Sequence, residues 1–300
     1  MTQKFLIYLK AIRVWQWPKN LVVFTLPIGS GIMEFQILIS SLWAFFGLSL
    51  ISSSIYLLND INDIDIDITH HTKKNRPIAL GLVPIQSAKI LSYLLLLSSL
   101  FIFSSFNFIS LGLGCSYFLL GLMYTLKIKY IAYLDMLTIS CLFLTRVLIG
   151  GYSVKINPSI VLLLFIFFFS LSLALSKRIT IMNDERLSID SSYKKFLLLS
   201  YNSKKINNIL KLTLFLTFIT YIFWVFFVNI NEFSTFGTFF SIMSIFFLGR
   251  SLLGIYRLTS ISQLEDFLVS LFQNKKELTF IFLATLSSLF SIYLSKKSLF

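Results

Sequence analysis

Charge is scarce in this chain. Only 13% of its 300 residues are Asp, Glu, Lys or Arg, while 56% are hydrophobic and the mean hydropathy is +0.83. A soluble domain carries about 25% charged residues, so the composition excludes one and points to a membrane protein. Acid is scarcer still, with 13 carboxylates against 26 Lys and Arg and a net charge of +13. In a soluble protein that excess would suggest nucleic acid. In so apolar a chain it reads as the excess of Lys and Arg on cytoplasmic loops, and no nucleic-acid partner is expected. The two cysteines, Cys115 and Cys141, lie in apolar runs with no Cys or His at ligand spacing, which leaves them as small core residues without redox meaning. The basic, amphipathic N-terminal stretch (Lys4, Lys10, Arg13, Lys19) lacks a short apolar region ending in small residues, so no cleavable leader is expected. Internal repeats and interrupting soluble domains are also lacking.

What is present is a series of apolar runs of spanning length, at 20–34, 36–58, 86–106, 108–126, 131–152, 159–176, 208–228, 234–254 and 278–295. They predict an all-α, polytopic bundle of nine transmembrane helices in one domain over residues 1–300. The first run is the shortest and carries Pro27 and two glycines. The basic residues sort by side. The N-terminus and the connectors after runs 2, 4, 6 and 8, together with the adjoining ends of the runs (Lys89, Lys211 and Arg250), hold 22 of the 26, the opposite face holds Lys155, Lys296 and Lys297, and Arg146 lies inside run 5. This asymmetry predicts a cytoplasmic N-terminus, an external C-terminus and an external Glu232.

The rare acids are not scattered. Asn59-Asp60-Ile61-Asn62-Asp63-Ile64-Asp65-Ile66-Asp67 closes the second run. On a helix, Asp60, Asp63 and Asp67 fall at i, i+3 and i+7 and share a face, Asn59 joins them, and Asp65 points elsewhere. Carboxylates at the edge of hydrocarbon mark function. Several on one face need a cation, and hard oxygen ligands suit Mg²⁺, which binds through a few carboxylates plus substrate phosphates. Lys73, Lys74 and Arg76 follow within ten residues, as a diphosphate would require: metal on one side, Lys and Arg on the other. Pro77 disfavours helix at Arg76, placing it on a loop that can fold over the site. His70 and His71 are adjacent on the chain and cannot converge on one ion if helical, so phosphate contact or exposure is expected of them.

Other segments have two readings each. Arg13-Val14-Trp15-Gln16-Trp17-Pro18-Lys19-Asn20 suits an interfacial anchor, and Gln16, Lys19 and Asn20 suit a bound phosphate. Tyr124 and Lys129 end run 4 and Asp135 opens run 5. Arg146, eleven residues beyond Asp135, lies roughly 16 Å further along the same helix, too far to pair with it. It therefore needs another partner or a wet cavity. Lys177 and Arg178 end run 6 in a connector rich in basic residues, a candidate for holding a second anion.

Together these segments resemble the UbiA superfamily of intramembrane prenyltransferases. Its Asn-Asp-x-x-Asp-x-x-x-Asp motif is matched by Asn59, Asp60, Asp63 and Asp67. Within the superfamily the chain is more similar to the decaprenyl-phosphate phosphoribosyltransferase branch. Gln16 to Asn20 match one of its patterns, and Asp67, His70, Lys73, Arg76, Pro77, Ile78, Ala79 and Gly81 match a second. Tyr124, Lys129, Leu134, Asp135, Arg146, Gly150 and Gly151 match a third, and Lys177-Arg178 match its Lys-Arg pair. The resemblance implies a nine-helix fold, Mg²⁺ held by Asn59, Asp60, Asp63 and Asp67, and substrate contacts from Gln16, Lys19, Asn20, His70, Lys73, Arg76, Tyr124, Lys129, Asp135, Arg146, Lys177 and Arg178. It implies phosphoribosyl diphosphate as a soluble phosphorylated donor and a polyprenyl phosphate as lipid acceptor. Members that prenylate aromatic rings from a prenyl diphosphate carry a second Asp-rich motif after helix 6. Here that region reads Ser176-Lys177-Arg178-Ile179-Thr180-Ile181, which argues against that reaction. The phosphoribosyl branch, for its part, usually follows its Lys-Arg pair with an acidic residue within about three positions, whereas the next acids here are Asp184 and Glu185.

Overall fold

The computed structural model describes residues 2–30, 34–69, 73–183, 192–229, 235–260 and 274–297. Regular structure among them is entirely helical. Helix α1 (Thr2–Ala11) leads into a 3₁₀ segment (Val14–Phe24) and the short α2 (Thr25–Gly29). Then follow α3 (Phe35–Asn62), α4 (Ile64–Thr69), α5 (Ile85–Ser104), α6 (Phe108–Leu126), α7 (Leu134–Ser153), α8 (Ile160–Asn183), α9 (Ser192–Ser200), α10 (Ser203–Asn229), α11 (Thr235–Ser260) and α12 (Lys275–Lys297).

Eight of these helices are long and apolar enough to cross a bilayer, and the protein is a multi-pass membrane protein. They coincide with the second to ninth predicted spans. The first predicted span, 20–34, differs. Its described part is the end of the 3₁₀ segment plus one turn and a half of α-helix. Pro18, inside the 3₁₀ segment, and Pro27, inside α2, each remove a backbone donor that a long α-helix would use.

The chain forms two compact units. One comprises Met1–Ile28, Ile32–Thr138 and Leu142–Asn157, the other Gly29–Gly31, Ile139–Cys141 and Pro158–Phe300. In the first, α3 packs most extensively on α5 and also meets α6 and the 3₁₀ segment. Lipid offers little hydrophobic incentive for helices to associate, so small residues and interhelical hydrogen bonds matter more. Serines supply them. The Ser54 and Ser92 hydroxyls are 2.9 Å apart, and Ser99 donates to the Gly47 carbonyl at 2.8 Å. A buried cluster of Val23, Ala44, Leu48, Ile51, Phe103, Tyr117 and Ile149 fills the middle of this unit. Helix α7 approaches the 3₁₀ segment closely at Gly150, where a Cβ would collide with the carbonyl oxygen of Val23. Only glycine permits that approach.

In the second unit α8 packs on α10, and α11 on α12. The Tyr221 hydroxyl donates to Ser244 Oγ at 3.0 Å and lies 2.6 Å from that of Ser288, joining α10, α11 and α12. Near the end of α11, Arg250 and Arg257 flank the buried Glu277 at 3.6 and 3.2 Å.

Candidate active site

Helix α3 ends at Asn62, and Asp63 occupies its C-cap with φ −101° and ψ 12°. The backbone does not unwind there. Asp63 N donates to Asn59 O at 3.0 Å and Asp67 N to Asp63 O at 2.8 Å, so the ladder runs on into α4. The three predicted carboxylates therefore keep one face. Asp60, Asp63 and Asp67 are 2%, 8% and 0% exposed, while Asp65 is exposed, as the spacing requires.

Three buried carboxylates need neutralising, and three cations do so. Arg13 donates from Nη2 to Asp60 Oδ1. Arg76 Nη1 lies 2.5 Å from Asp67 Oδ2 and 3.1 Å from Asp60 Oδ1, bridging two acids. Lys129 Nζ donates to both oxygens of Asp63 at 2.6 Å. Asn59 and Asn62 add amide contacts at 3.5 Å to Asp60 and 3.0 Å to Asp63. A buried carboxylate without such partners would cost several kcal/mol.

Local folding places each cation. Arg76 opens a wound turn in which Leu80 N donates to Arg76 O and Leu82 N to Pro77 O, both at 2.9 Å. Gly81, at φ 70°, closes the turn in the left-handed region where a side chain would be strained. Ile78 and Val83 anchor the turn in a cluster with Ala11, Leu57 and Ala88, so the predicted loop is a fixed arm rather than a free one. Lys129 sits in a 3₁₀ turn (Ile128–Tyr130) after α6, beside the Tyr130 ring. Lys73 is half-buried nearby. Burial pushes its ammonium below the ordinary lysine range and the Arg76 cation adds to this, while Asp67 and Asp63 pull it back up.

Arg13 is the residue that sequence reasoning missed. It has φ 54°, a left-handed backbone between α1 and the 3₁₀ segment, and its guanidinium lies over the Tyr56 ring as well as on Asp60. In the sequence it is one of several basic residues before the first span, 47 positions from Asp60. The left-handed bend that turns it inward leaves no local signature.

Among the described residues no three His, Cys, Asp or Glu side chains converge as a metal-holding group. The oxygens that would do so are engaged by Arg13, Arg76 and Lys129. The donor set nevertheless suits a hard cation: it is all oxygen, and Asp67 Oδ1 is a buried acceptor with no hydrogen-bond partner. Mg²⁺ fits if these cations shift from the carboxylates to an incoming phosphate, an exchange their long side chains permit.

The remaining predicted residues are spread more widely. Asn20 is buried, Gln16 and Lys19 half-buried, all in the 3₁₀ segment. Tyr124 is half-buried on α6 and Asp135 buried at the start of α7. Arg146 is buried among Asn20, Tyr117 and Phe143. Lys177 and Arg178 are adjacent on α8 but not equivalent, because consecutive helical positions point about 100° apart. Lys177 is exposed and Arg178 is 4% exposed. His70, Asp184, Glu185 and Glu232 lie outside the described residues.

The described fold has known counterparts. The family model "UbiA prenyltransferase family" matches residues 27–272. Decaprenyl-phosphate phosphoribosyltransferase of Mycolicibacterium smegmatis is 39% identical over 177 residues, which cover 57% of this chain and 55% of that protein. Its namesake from Corynebacterium glutamicum is 32% identical over 179 residues, covering 57% and 53%. The matched part is thus about half the length of these curated relatives. Among solved structures, a digeranylgeranylglyceryl phosphate synthase superposes with a TM-score of 0.68 at 18% identity, over 97% of this chain and 99% of that one. A UbiA homolog from Archaeoglobus fulgidus bound to GPP and Mg²⁺ does so with a TM-score of 0.63 at 14% identity, again over 97% and 99%. With its family model spanning most of its length and its acid motif folded onto one buried face, this chain belongs to the UbiA prenyltransferase family.

Proposed function

We propose that this protein transfers a 5-phosphoribosyl group from phosphoribosyl diphosphate to a polyprenyl phosphate at the cytoplasmic face of the membrane, with Mg²⁺. The observation that carries this reading is the packing of three buried carboxylates against Arg13, Arg76 and Lys129. Such an array can exchange its internal ion pairs for a metal-bound diphosphate. The similarity to decaprenyl-phosphate phosphoribosyltransferases supports the choice of substrates, as does the sequence Ser176-Lys177-Arg178 in place of a second acidic motif.

Asn59, Asp60, Asp63 and Asp67 would hold the metal, whose chemistry is to neutralise charge on a leaving diphosphate. Arg76, Lys129, Lys73 and Arg13 bind the same diphosphate by charge-assisted hydrogen bonds. Gln16, Lys19, Asn20, His70, Tyr124 and Asp135 orient the donor. Arg178, assisted by Lys177, binds the monophosphate of the lipid. An oxygen of that phosphate forms a bond to the anomeric carbon while the bond from that carbon to the diphosphate breaks, the electron pair leaving with diphosphate. The nucleophile is already anionic and needs no strong base. The protein's task is positioning and stabilisation of leaving charge. The excess of Lys and Arg on one set of connectors supports a site inside the cell, with the N-terminus inside and the C-terminus outside.

The test is consumption of substrate by detergent-purified protein with Mg²⁺. Phosphoribosyl diphosphate and decaprenyl phosphate should yield diphosphate and a phosphoribosylated lipid. Turnover of a prenyl diphosphate with an aromatic acid, and none of the first pair, would replace this reading with prenyl transfer.

A further inference from the structure

Helix α3 carries a polar stripe from the acid cluster into the membrane: Asp60, Tyr56, Ser53, Ser52 and Ser49, all within one face at helical spacing. At 1.5 Å per residue, Ser52 lies about 12 Å below Asp60 along the axis. Arg146 of α7 meets the stripe at that depth. Its Nε donates to Asn20 Oδ1 at 3.1 Å and its Nη2 to the Tyr117 hydroxyl at 2.7 Å. Both partners are tied to α3, since Asn20 Nδ2 donates to Ser49 Oγ at 3.2 Å and the Tyr117 hydroxyl lies 3.0 Å from that of Ser52. The rings of Phe143 and Tyr117 flank the guanidinium at 4.7 and 5.2 Å.

The arrangement is unbalanced in charge. Arg146 is 7% exposed, lies in a membrane-spanning helix and is bonded to neutral partners alone. A guanidinium has five donors, and among the described residues these two bonds are the ones Arg146 makes. An ion held at this depth is costly, and proteins place one there for a counter-charge or a substrate. The acid cluster has its own cations, so it does not supply the missing anion. The guanidinium fork beside an amide and a hydroxyl suits a tetrahedral oxyanion with several acceptors.

We propose that Arg146, with Asn20 and Tyr117, is a second anion site, on the membrane side of the acid cluster, that takes a phosphate monoester. This deepens the proposed function and rests on it, because each substrate in that reading carries one such group. One is the 5-phosphate of the donor, the other the head of the lipid acceptor. The diphosphate stays at the acid cluster.

Titration calorimetry on the detergent-purified full chain tests this with two probes, ribose 5-phosphate and farnesyl monophosphate. The parent should bind at least one, and Arg146→Gln should bind that one about tenfold more weakly or worse. Loss with ribose 5-phosphate assigns the site to the donor, and loss with farnesyl monophosphate to the acceptor. Binding of neither probe by the parent, or unchanged binding by Arg146→Gln, overturns the proposal. Should Arg146→Gln fail to fold, Arg146→Lys keeps the charge but loses the fork and should bind several-fold more weakly. Unchanged affinity there overturns it equally. Turnover of phosphoribosyl diphosphate by the parent is measured alongside. Turnover with an Arg146→Gln that binds normally sinks this inference alone. Binding that depends on Arg146, without any turnover, sinks the proposed reaction instead.

Discussion

Lys129 holds both oxygens of Asp63 at 2.6 Å, the most symmetrical ion pair of the acid cluster. The ammonium occupies the side of the carboxylate that a divalent cation would use. A metal held by Asp63, as proposed, would have to displace the lysine, which could then meet phosphate. Replacing Lys129 with Gln should shift the Mg²⁺ dependence several-fold towards tighter metal binding, while lowering kcat/KM for the diphosphate donor about tenfold or more. Direct Mn²⁺ binding, followed by electron paramagnetic resonance, separates the two effects. Weaker metal binding in the variant would show that Lys129 supports the metal site instead of competing with it.

The carboxylates themselves should be unequal to Asp65. Asp60→Asn, Asp63→Asn and Asp67→Asn each remove a buried anion that faces Arg13, Arg76 or Lys129. They should insert into the membrane normally and lose on the order of a hundredfold or more in turnover. Asp65→Asn changes an exposed side chain and should stay within a few-fold of the parent. Initial rates at controlled free Mg²⁺ give the comparison, and near-normal rates in all three buried-site variants would remove the metal assignment.

Much of this arrangement was legible in the sequence because it is local. Eight spans could be read from uninterrupted apolar runs, and the shared face of Asp60, Asp63 and Asp67 from spacings of three and four. The parts that were not legible depend on distant residues. Arg13 reaches Asp60 across 47 positions through a left-handed bend. Arg146 finds Asn20 across 126. The 20–34 segment is apolar enough to span, yet its described part is 3₁₀ up to Phe24 and α-helical only over Thr25–Gly29, with Pro18 and Pro27 each withholding a backbone donor. Hydropathy measures transfer into lipid and carries little information about backbone donors.

The contact that brings Asn20 to Arg146 depends on Gly150, one helical turn beyond Arg146. A methyl group there would strike the Val23 carbonyl and push α7 off the 3₁₀ segment. Gly150→Ala should destabilise the folded protein by about 1–3 kcal/mol, the usual cost of overpacking. Gly112→Ala is the matched control, because nothing lies within 4 Å of its added methyl and alanine favours helix. Thermal midpoints in one detergent should fall for the first and hold or rise for the second. Equal midpoints would mean that the close approach of α7 does not matter to stability.

Orientation in the membrane is open to direct chemical test. Lys74 is exposed in the turn between α4 and α5, beside the acid cluster. With Cys115 and Cys141 removed, Lys74→Cys should react with a membrane-impermeant maleimide only after the cells are opened. Glu232→Cys should react in intact cells. Labelling of position 74 from outside would invert the topology and put the site on the external face.

The last prediction separates two neighbours. Lys177 and Arg178 match one dipeptide motif, but Arg178 is buried on α8 whereas Lys177 is exposed. A charge-assisted contact to phosphate is worth roughly 1.5–3 kcal/mol, and solvent erodes it at an exposed position. Arg178→Gln should therefore weaken use of polyprenyl phosphate about tenfold to a hundredfold, and Lys177→Gln only a few-fold. Neither should much alter KM for phosphoribosyl diphosphate. Steady-state kinetics with each substrate varied in turn gives both constants, and circular dichroism checks that Arg178→Gln keeps its helix content. A rise in KM for the donor, with lipid use unchanged, would mean that Arg178 serves the soluble substrate. The lipid phosphate would then have to be held elsewhere.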